Sequence, residues 1–492
     1  MTSVFLFHRD FRLVDNSALN MAVRSGSKIL PVFIFNPGQI DEKRNPYFSH
    51  PSVQFMCESL IELDSELTRL GSRLLMLQGE TIAVLEGLHR ASKLKSLFCN
   101  RDFTVFAQER DSAIRSWCDS HSITYTDCED YDFVPLNKVV MNEGTSGARP
   151  FPVMSQYFNK LVKDAQNDKS FVRRPHSETI TSDTFVRGLV TVPGFPSLEP
   201  ASLEMFYKRK DTLVQKGGRS NGERCPAKVE ELVETYSNDR NFPALERTTQ
   251  ISAHLKFGTV SIREFFYAIV SAASGSLDTH LLREVVFRSF YYKLWTHQRE
   301  LQREVSIHQR IDEQIPWKHP KDAPLEWKAW ITGPTGFPLA DAGMRQLVVE
   351  GYVHGRPRMV LATVATRYLL FDWRECAKYF AKYLSDYDPI LNAAGWVYSC
   401  SLGDNTQYIC RAPMNPFRQS LNYDPDCLYI KKWIPELKDV STRDIHDWSA
   451  KAKLKYHAVT YPAPIVDQIE VSRFVTAMWK DAARAADPKL RL

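Results

Sequence analysis

A chain of 492 residues with 43% hydrophobic and 25% charged side chains can bury a large core, and its length predicts two or three domains. Sixty-three basic against 58 acidic residues leave a formal charge of only +5, so any nucleic-acid surface has to be a local patch. Nine scattered cysteines without a Cys-x-x-Cys pair argue against a disulfide framework and against a zinc site, and no metal centre is expected.

The start, Met1 to Asp10, has a short apolar run broken by charge, which is neither a signal peptide nor a membrane span. An intracellular protein that stays off the membrane is the expectation. Residues 1–130 then alternate short β-rich runs (Val4 to Phe7, Ile29 to Phe35, Arg73 to Leu77) with amphipathic stretches (Ala18 to Val23, Val53 to Leu70). This alternation predicts a doubly wound α/β domain with a parallel sheet covered by helices on both faces. Its ligand crevice would lie at the carboxyl ends of the strands, where Phe35-Asn36-Pro37 and Cys99-Asn100-Arg101-Asp102 fall. No GxGxxG fingerprint is present. Residues 131–205 dissolve into Pro, Gly, Ser, Thr and Asp and read as a long connector with some helix around Val153 to Ala165. Residues 206–492 open with a flexible basic loop, Gln215 to Gly222, after which helical periodicity predicts a mainly α domain.

Several clusters carry chemistry. Tyr236 to Pro243, followed by Thr248-Thr249-Gln250-Ile251-Ser252, offers hydroxyls, an amide and backbone N–H groups near a helix start, a set suited to a diphosphate and equally to a plain N-cap. Glu284, Phe287 and Arg288 are spaced to share one helix face, where they could grip a base or form a core helix with a surface ion pair. His354, Arg356 and Arg358 gather beside Pro357, and a lone histidine there is most simply structural. Asp386, Asp388 and Asn392, in an apolar helical neighbourhood, need partners if buried, and an isoalloxazine ring would supply them. Trp373 and Trp396 stand close by in sequence, redox-capable or simply core aromatics.

These blocks, in order, resemble the photolyase/cryptochrome flavoproteins over nearly the whole chain. Phe7-His8-Arg9-Asp10-Phe11-Arg12-Leu13-Val14-Asp15-Asn16 resembles the family's opening. Thr335-Gly336-Phe337-Pro338 with Asp341 to Arg345, Asp372-Trp373-Arg374-Glu375, Asn392 to Trp396, and Tyr429 to Leu437 resemble its helical domain.

The resemblance implies FAD bound by Tyr236, Thr248, Thr249, Gln250, Ile251, Ser252, Arg358, Asp386, Asp388 and Asn392, with Asn392 beside the flavin N5. It implies a relay of Trp396, Trp373 and an outer tryptophan, Trp317, with Trp327 as the alternative. Closest to the cyclobutane pyrimidine dimer photolyases, the chain would repair UV-damaged DNA as a monomeric lyase. The lesion is flipped out and receives an electron from photoexcited reduced FAD. Glu284, Met359 and Asn392 would act at the lesion and flavin, and Arg240, Phe287, Arg288, Tyr291, Gly355, Arg356 and Gln419 would meet the lesion or its strand. Met359 stands where (6-4) photolyases carry a histidine, which favours the cyclobutane dimer over the (6-4) photoproduct. The competing reading is a cryptochrome, a blue-light receptor signalling through protein partners. Gln108-Glu109-Arg110 resembles the family's antenna contact and favours methenyltetrahydrofolate, with a deazaflavin, a flavin or no antenna left open. Four positions depart from the dimer enzymes: Phe287 and Tyr352 replace tryptophans, Gly355 an asparagine, and Tyr368 an aspartate that would pair with Arg358.

Overall fold

A computed structural model describes residues 2–297, 305–403 and 409–486. The chain divides into two compact units: one comprises Met1–Glu234, Thr249–Arg299 and Ser385–Asp388, the other Thr235–Thr248, Glu300–Leu384 and Pro389–Leu492.

The first unit is built on a five-stranded parallel sheet. Strands β1 (Thr2–Phe7), β2 (Lys28–Phe35), β3 (Leu75–Gln78), β4 (Ser96–Asn100) and β5 (Thr124–Cys128) lie in the order β3-β2-β1-β4-β5. Helices α1 (Ser17–Arg24), α2 (His50–Arg69), α3 (Thr81–Ser92) and α4 (Val105–Ser120) connect them. The register sets Val4 beside Leu30 and Leu97, and Leu6 beside Val32 and Cys99. Alternate residues point to opposite faces. Phe5, Phe7, Phe33 and Phe35 therefore pack with Ala18 and Leu19 of α1 and Leu60 and Leu63 of α2. Val4, Leu6, Leu30 and Val32 pack with Leu85 and Leu88 of α3 and Ile114 of α4. Burial on both faces is why β1 and β2 are almost continuously apolar.

The strand order reverses between β1 and β4, and a polar lattice ties the two strand ends together. Asn100 Nδ2 donates to Asp10 Oδ2 (2.6 Å) and to Asn16 Oδ1 (2.7 Å), while Asn16 caps α1. Burial pushes the Asp10 carboxyl up to about 6. Below the lattice lies a buried ionic knot: Arg12 pairs with Asp130, and Arg263 reaches Asp15 (2.9 Å) and Asp130 (2.7 Å). The same unit contains α5 (Ser252–Phe257) and α6 (His280–His297).

The second unit is helical, with α7 (Pro324–Thr332), α8 (Pro338–Glu350), α9 (Gly355–Thr363), α10 (Trp373–Tyr383), α11 (Pro389–Ser399), α12 (Pro416–Tyr423) and α13 (Gln468–Ala486). A π-helical turn, Val364–Tyr368, follows α9. The Thr335–Arg345 block is structural. Asp341 accepts from Thr335 Oγ1 (2.6 Å), the Gly336 N–H (3.1 Å) and the Tyr461 hydroxyl. Gly336 has φ +83°, and a Cβ there would lie 2.4 Å from Pro464, so only glycine fits. Arg345 holds Glu436 through two bonds of 2.8 and 2.9 Å, tying this block to the Tyr429–Leu437 segment. Among the described residues, no helix is long and apolar enough to cross a membrane, and no cluster of His, Cys, Asp and Glu could hold a metal ion.

Candidate functional site

In the first unit, the Thr249–Ser252 segment and the Ser385–Asp388 loop are stitched together by a residue the sequence did not single out. Gln215, 2% exposed, donates through Nε2 to the Gln250 carbonyl (2.7 Å) and Ser252 Oγ (2.9 Å), and its Oε1 accepts from Ser385 Oγ (2.7 Å). Gln250 takes the left-handed conformation (φ 51°), which turns the chain into α5, and Thr249 and Ile251 are buried beside it. Asp388 is 3% exposed, and its Oδ2 accepts from Arg9 Nη1 (2.9 Å), the Tyr131 hydroxyl (3.0 Å) and the Tyr292 hydroxyl. Arg9 also reaches Asp102 (2.7 Å). Asp386 is half-buried, and Lys256 of α5 feels both its charge and that of Asp388. Burial, and then Arg9, still push the Lys256 ammonium down to about 7, so it is an enclosed cation short of negative charge.

On α6, Glu284 and Phe287 are exposed, and Phe287 stacks on Tyr291 with ring centroids 6.2 Å apart and an interplanar angle of 26°. The expectation that Arg288 shares this face is corrected. Arg288 is buried, donates to the Tyr131 carbonyl (2.8 Å) and lies 3.9 Å over the Tyr131 ring. The turn of helix from 284 to 288 crosses the edge of the buried surface, and Tyr131 and Tyr292 supply an aromatic cage that compensates the guanidinium.

Two cavities lie at strand ends in this unit. One of about 790 Å³ opens beyond β4 and β5, lined among others by Asp102, Phe103, Gln108, Asp127 and His297. Gln108 Nε2 donates to the Phe103 carbonyl (2.8 Å), while Glu109 is exposed and does not line the cavity. The other, about 420 Å³, lies beyond β2 and β3 among Pro37, Phe48, His50, Gln78, Phe206 and Lys208.

In the second unit, Asn392 of α11 is 4% exposed. Its Oδ1 accepts from Arg358 Nη2 (3.1 Å), and its Nδ2 donates to the Ala377 carbonyl (3.1 Å), which leaves one amide hydrogen for another acceptor. Trp396, one helical turn on, packs edge-on against Phe380 (5.0 Å), whose ring lies 5.6 Å beneath the Arg358 guanidinium. Trp373 is buried with the Arg374 guanidinium 4.5 Å over its ring. Trp317 is half-buried, donates to Asp312 (2.8 Å) and meets Trp479 edge-on at 5.7 Å. Trp327 lies 5.1 Å from the buried Trp330.

Arg356 sends Nε (3.0 Å) and Nη2 (2.6 Å) to Asn241 Oδ1 and lies 4.5 Å over Tyr423 of α12, the helix that also carries the half-buried Gln419. Burial and the nearby Arg356 charge push Arg240 below its usual range. Tyr236 is buried, and burial pushes its hydroxyl up to about 12. Thr248 shares a hydrogen bond with Tyr352 (3.2 Å).

His354 caps α9, its Nδ1 accepting from the Arg356 N–H (3.2 Å), and burial with the Arg356 charge pushes it down to about 4. It is neutral at pH 7. A Cβ at Gly355 would meet nothing within 4 Å, so the missing side chain leaves open space. Met359 lines a cavity of about 230 Å³ with Arg367, Tyr398 and Met414. Tyr368, in place of the expected aspartate, donates to the Met414 carbonyl (3.2 Å) and accepts from Gln468 (3.1 Å).

Comparison with known proteins identifies the family. Residues 3–176 match the family model of DNA photolyase, and residues 281–481 match that of the FAD binding domain of DNA photolyase. The deoxyribodipyrimidine photo-lyase of Halobacterium salinarum is 29% identical, with 97% of this chain and 99% of the relative covered. An archaeal photolyase from Sulfolobus tokodaii, solved with two FAD molecules, is 32% identical over 98% of this chain and all of its own, with a TM-score of 0.82. A cryptochrome from Synechocystis shares the fold at 20% identity and a TM-score of 0.81, covering 97% and 99% of the two chains.

Proposed function

Because the chain belongs to the photolyase/cryptochrome family, we propose that it is a light-dependent lyase that binds FAD and splits cyclobutane pyrimidine dimers in UV-damaged DNA. The observation that carries this reading is the Glu284–Phe287–Tyr291 strip: a carboxylate and two stacked rings on the open face of an otherwise buried helix. A flipped-out dinucleotide lesion is gripped through stacking and hydrogen bonds of this kind.

The polar groups suit FAD. Tyr236, Thr248, Thr249, Gln250, Ile251, Ser252, Arg358, Asp386, Asp388 and Asn392 would hold it. The spare amide hydrogen of Asn392 and the Lys256 ammonium, short of negative charge, are groups that a heterocycle and a diphosphate satisfy. When bound and reduced, FAD supplies the light-driven electron that splits the dimer and takes it back. The chain's own task is positioning. Arg358 fixes the Asn392 amide, Glu284 would accept a hydrogen bond from the lesion, and Phe287 and Tyr291 would stack on it. Arg240, Arg356 and Gln419 would take the strand. Trp396, Trp373 and Trp317 would return electrons from the surface.

The reading of the lesion as a cyclobutane dimer rests on Met359, which stands where (6-4) photolyases carry a histidine; His354, a buried N-cap pushed down to about 4, does not supply an imidazolium in its place. The larger cavity, with Gln108 in its wall, is our reading of the antenna pocket, with methenyltetrahydrofolate favoured and a flavin, a deazaflavin or no antenna as the alternatives. Extracting the chromophores of the purified protein checks that assignment. The functional test presents the reduced, illuminated protein with oligonucleotides carrying one cyclobutane dimer or one (6-4) product, separated by chromatography. The dimer should be reversed and the (6-4) product left; reversal of the (6-4) product alone would overturn the reading.

A further inference from the structure

We propose that Gln215 is a positioning residue for the cofactor: its side-chain amide holds two cofactor-binding segments of the first unit in fixed register and keeps the Ser252 hydroxyl hydrogen available as a donor. The inference rests on the reading that FAD is held by Thr249 to Ser252 and by Asp386 and Asp388.

A carboxamide offers two hydrogens and an acceptor oxygen, and Gln215, 2% exposed, uses both kinds of group. Its Nε2 donates to the Gln250 carbonyl (2.7 Å) and to Ser252 Oγ (2.9 Å), and its Oε1 accepts from Ser385 Oγ (2.7 Å). These partners stand 35, 37 and 170 residues further along the chain. The amide cannot be turned over, because the Gln250 carbonyl can only accept. The bonds therefore have a direction. Ser385 gives its hydroxyl hydrogen to Gln215, whereas Ser252 receives one, so the Ser252 hydrogen has no acceptor among the described residues. It is free to donate to an anionic ligand from the start of α5, one helical turn before Lys256. The carbonyl that Gln215 holds belongs to the residue with φ 51°, a left-handed conformation that a glutamine keeps only where its surroundings over-determine it.

The clamp is itself anchored. The Gly217 N–H donates to Glu58 Oε2 (2.7 Å) and the Gly218 N–H to Ser59 Oγ (2.9 Å), both on α2, which packs against the sheet. A Cβ at Gly217 would collide with the Phe55 carbonyl oxygen, so the loop comes this close to α2 only as glycine. The loop is thus a strut from the sheet layer to the two segments. Segments already held in register need little further ordering when a ligand binds, and a residue can raise affinity in this way without touching the ligand.

The test titrates the apoprotein with FAD, following the flavin fluorescence, and maps amide hydrogen exchange. Gln215→Met keeps the length of the side chain and removes all three bonds, so the Kd for FAD should rise about tenfold. In the apoprotein, exchange should quicken in residues 249–252 and 385–388 while β1 and β4 stay protected, and saturating FAD should restore the protection. Ser385→Ala, which breaks one arm of the clamp, should raise the Kd about threefold, and the double variant should bind no more weakly than Gln215→Met alone. If Gln215→Met binds FAD as tightly as the unaltered protein, if β1 and β4 loosen as much as the two segments, or if the two losses add in full, the clamp is wrong. Should Gln215→Met fail to fold, Ser385→Ala decides alone, and an unchanged FAD affinity in that variant overturns the clamp. If the unaltered protein binds no FAD, the cofactor reading falls and takes the clamp with it.

Discussion

Two pairs of arginines, Arg12 and Arg263 in the first unit and Arg356 and Arg367 in the second, are held in opposite ways. In the first, Arg12 and Arg263 are matched by Asp15 and Asp130, so the knot is neutral within itself. In the second, Arg356 is held by the Asn241 amide, and Arg367 by the Ser401 hydroxyl and the Arg411 carbonyl. Among the described residues, neither has a carboxylate within ion-pair distance. Burial pushes Arg367 down to about 10, as expected for a guanidinium held by neutral groups. Of the two without a carboxylate, Arg367 is 1% exposed and Arg356 is half-buried, so under the proposed function Arg356 is the one that would meet a DNA phosphate.

The comparison breaks most sharply at Asp130. Asp130→Asn leaves Arg12 and much of Arg263 buried without their carboxylate and should cost about 3–5 kcal/mol in denaturant unfolding. Arg367→Met, which removes a cation that no acid balances, should cost less than about 1 kcal/mol. Equal losses at the two sites would erase the distinction between the units.

Lys256 sharpens the contrast, because it is a cation in the first unit that the nearby acids do not fully balance. Its folded value, about 7, lies below the ordinary lysine value. Below pH 7 the lysine is protonated whether folded or unfolded, and the burial penalty is complete. Between pH 7 and roughly 10 the unfolded chain binds the extra proton, so stability rises with pH. Lys256→Met should therefore raise the denaturation midpoint of the apoprotein at pH 6, with a gain that shrinks towards pH 10. A constant gain across that range would remove the titration from the account.

In the second unit, Arg356→Ala should weaken DNA binding roughly tenfold and lower the salt dependence by about one counterion, measured by fluorescence anisotropy at several salt concentrations. An unchanged slope would mean that Arg356 meets no phosphate. The smallest effect is expected at Gly355. Gly355→Asn enters open space at the first position of α9, so the melting temperature should move by no more than a few degrees. Affinity for dimer-containing DNA should rise severalfold.

The sheet was legible because β1 and β2 are buried on both faces, which leaves runs such as Ile29 to Phe35 with little freedom to be anything else. The helical unit was legible through whole blocks, and Thr335 to Arg345 shows why: Gly336 and Asp341 are fixed by close packing and by buried hydrogen bonds. The network around Asp388 was not. Arg9, Tyr131 and Tyr292 reach it across 379, 257 and 96 residues, and no local spacing encodes that. Gln215 lay in a stretch that read only as a flexible basic loop, yet its amide joins two distant segments. Arg288 was misread because α6 is buried almost all round, so an i, i+4 spacing does not keep two residues on one exposed strip.

The most direct test of the central claim is to mix the flavin-reduced protein with dimer-containing oligonucleotide and follow thymine absorbance in light and in darkness. Recovery in light alone is the predicted result. No recovery in light, with the flavin bound and reduced, would contradict it.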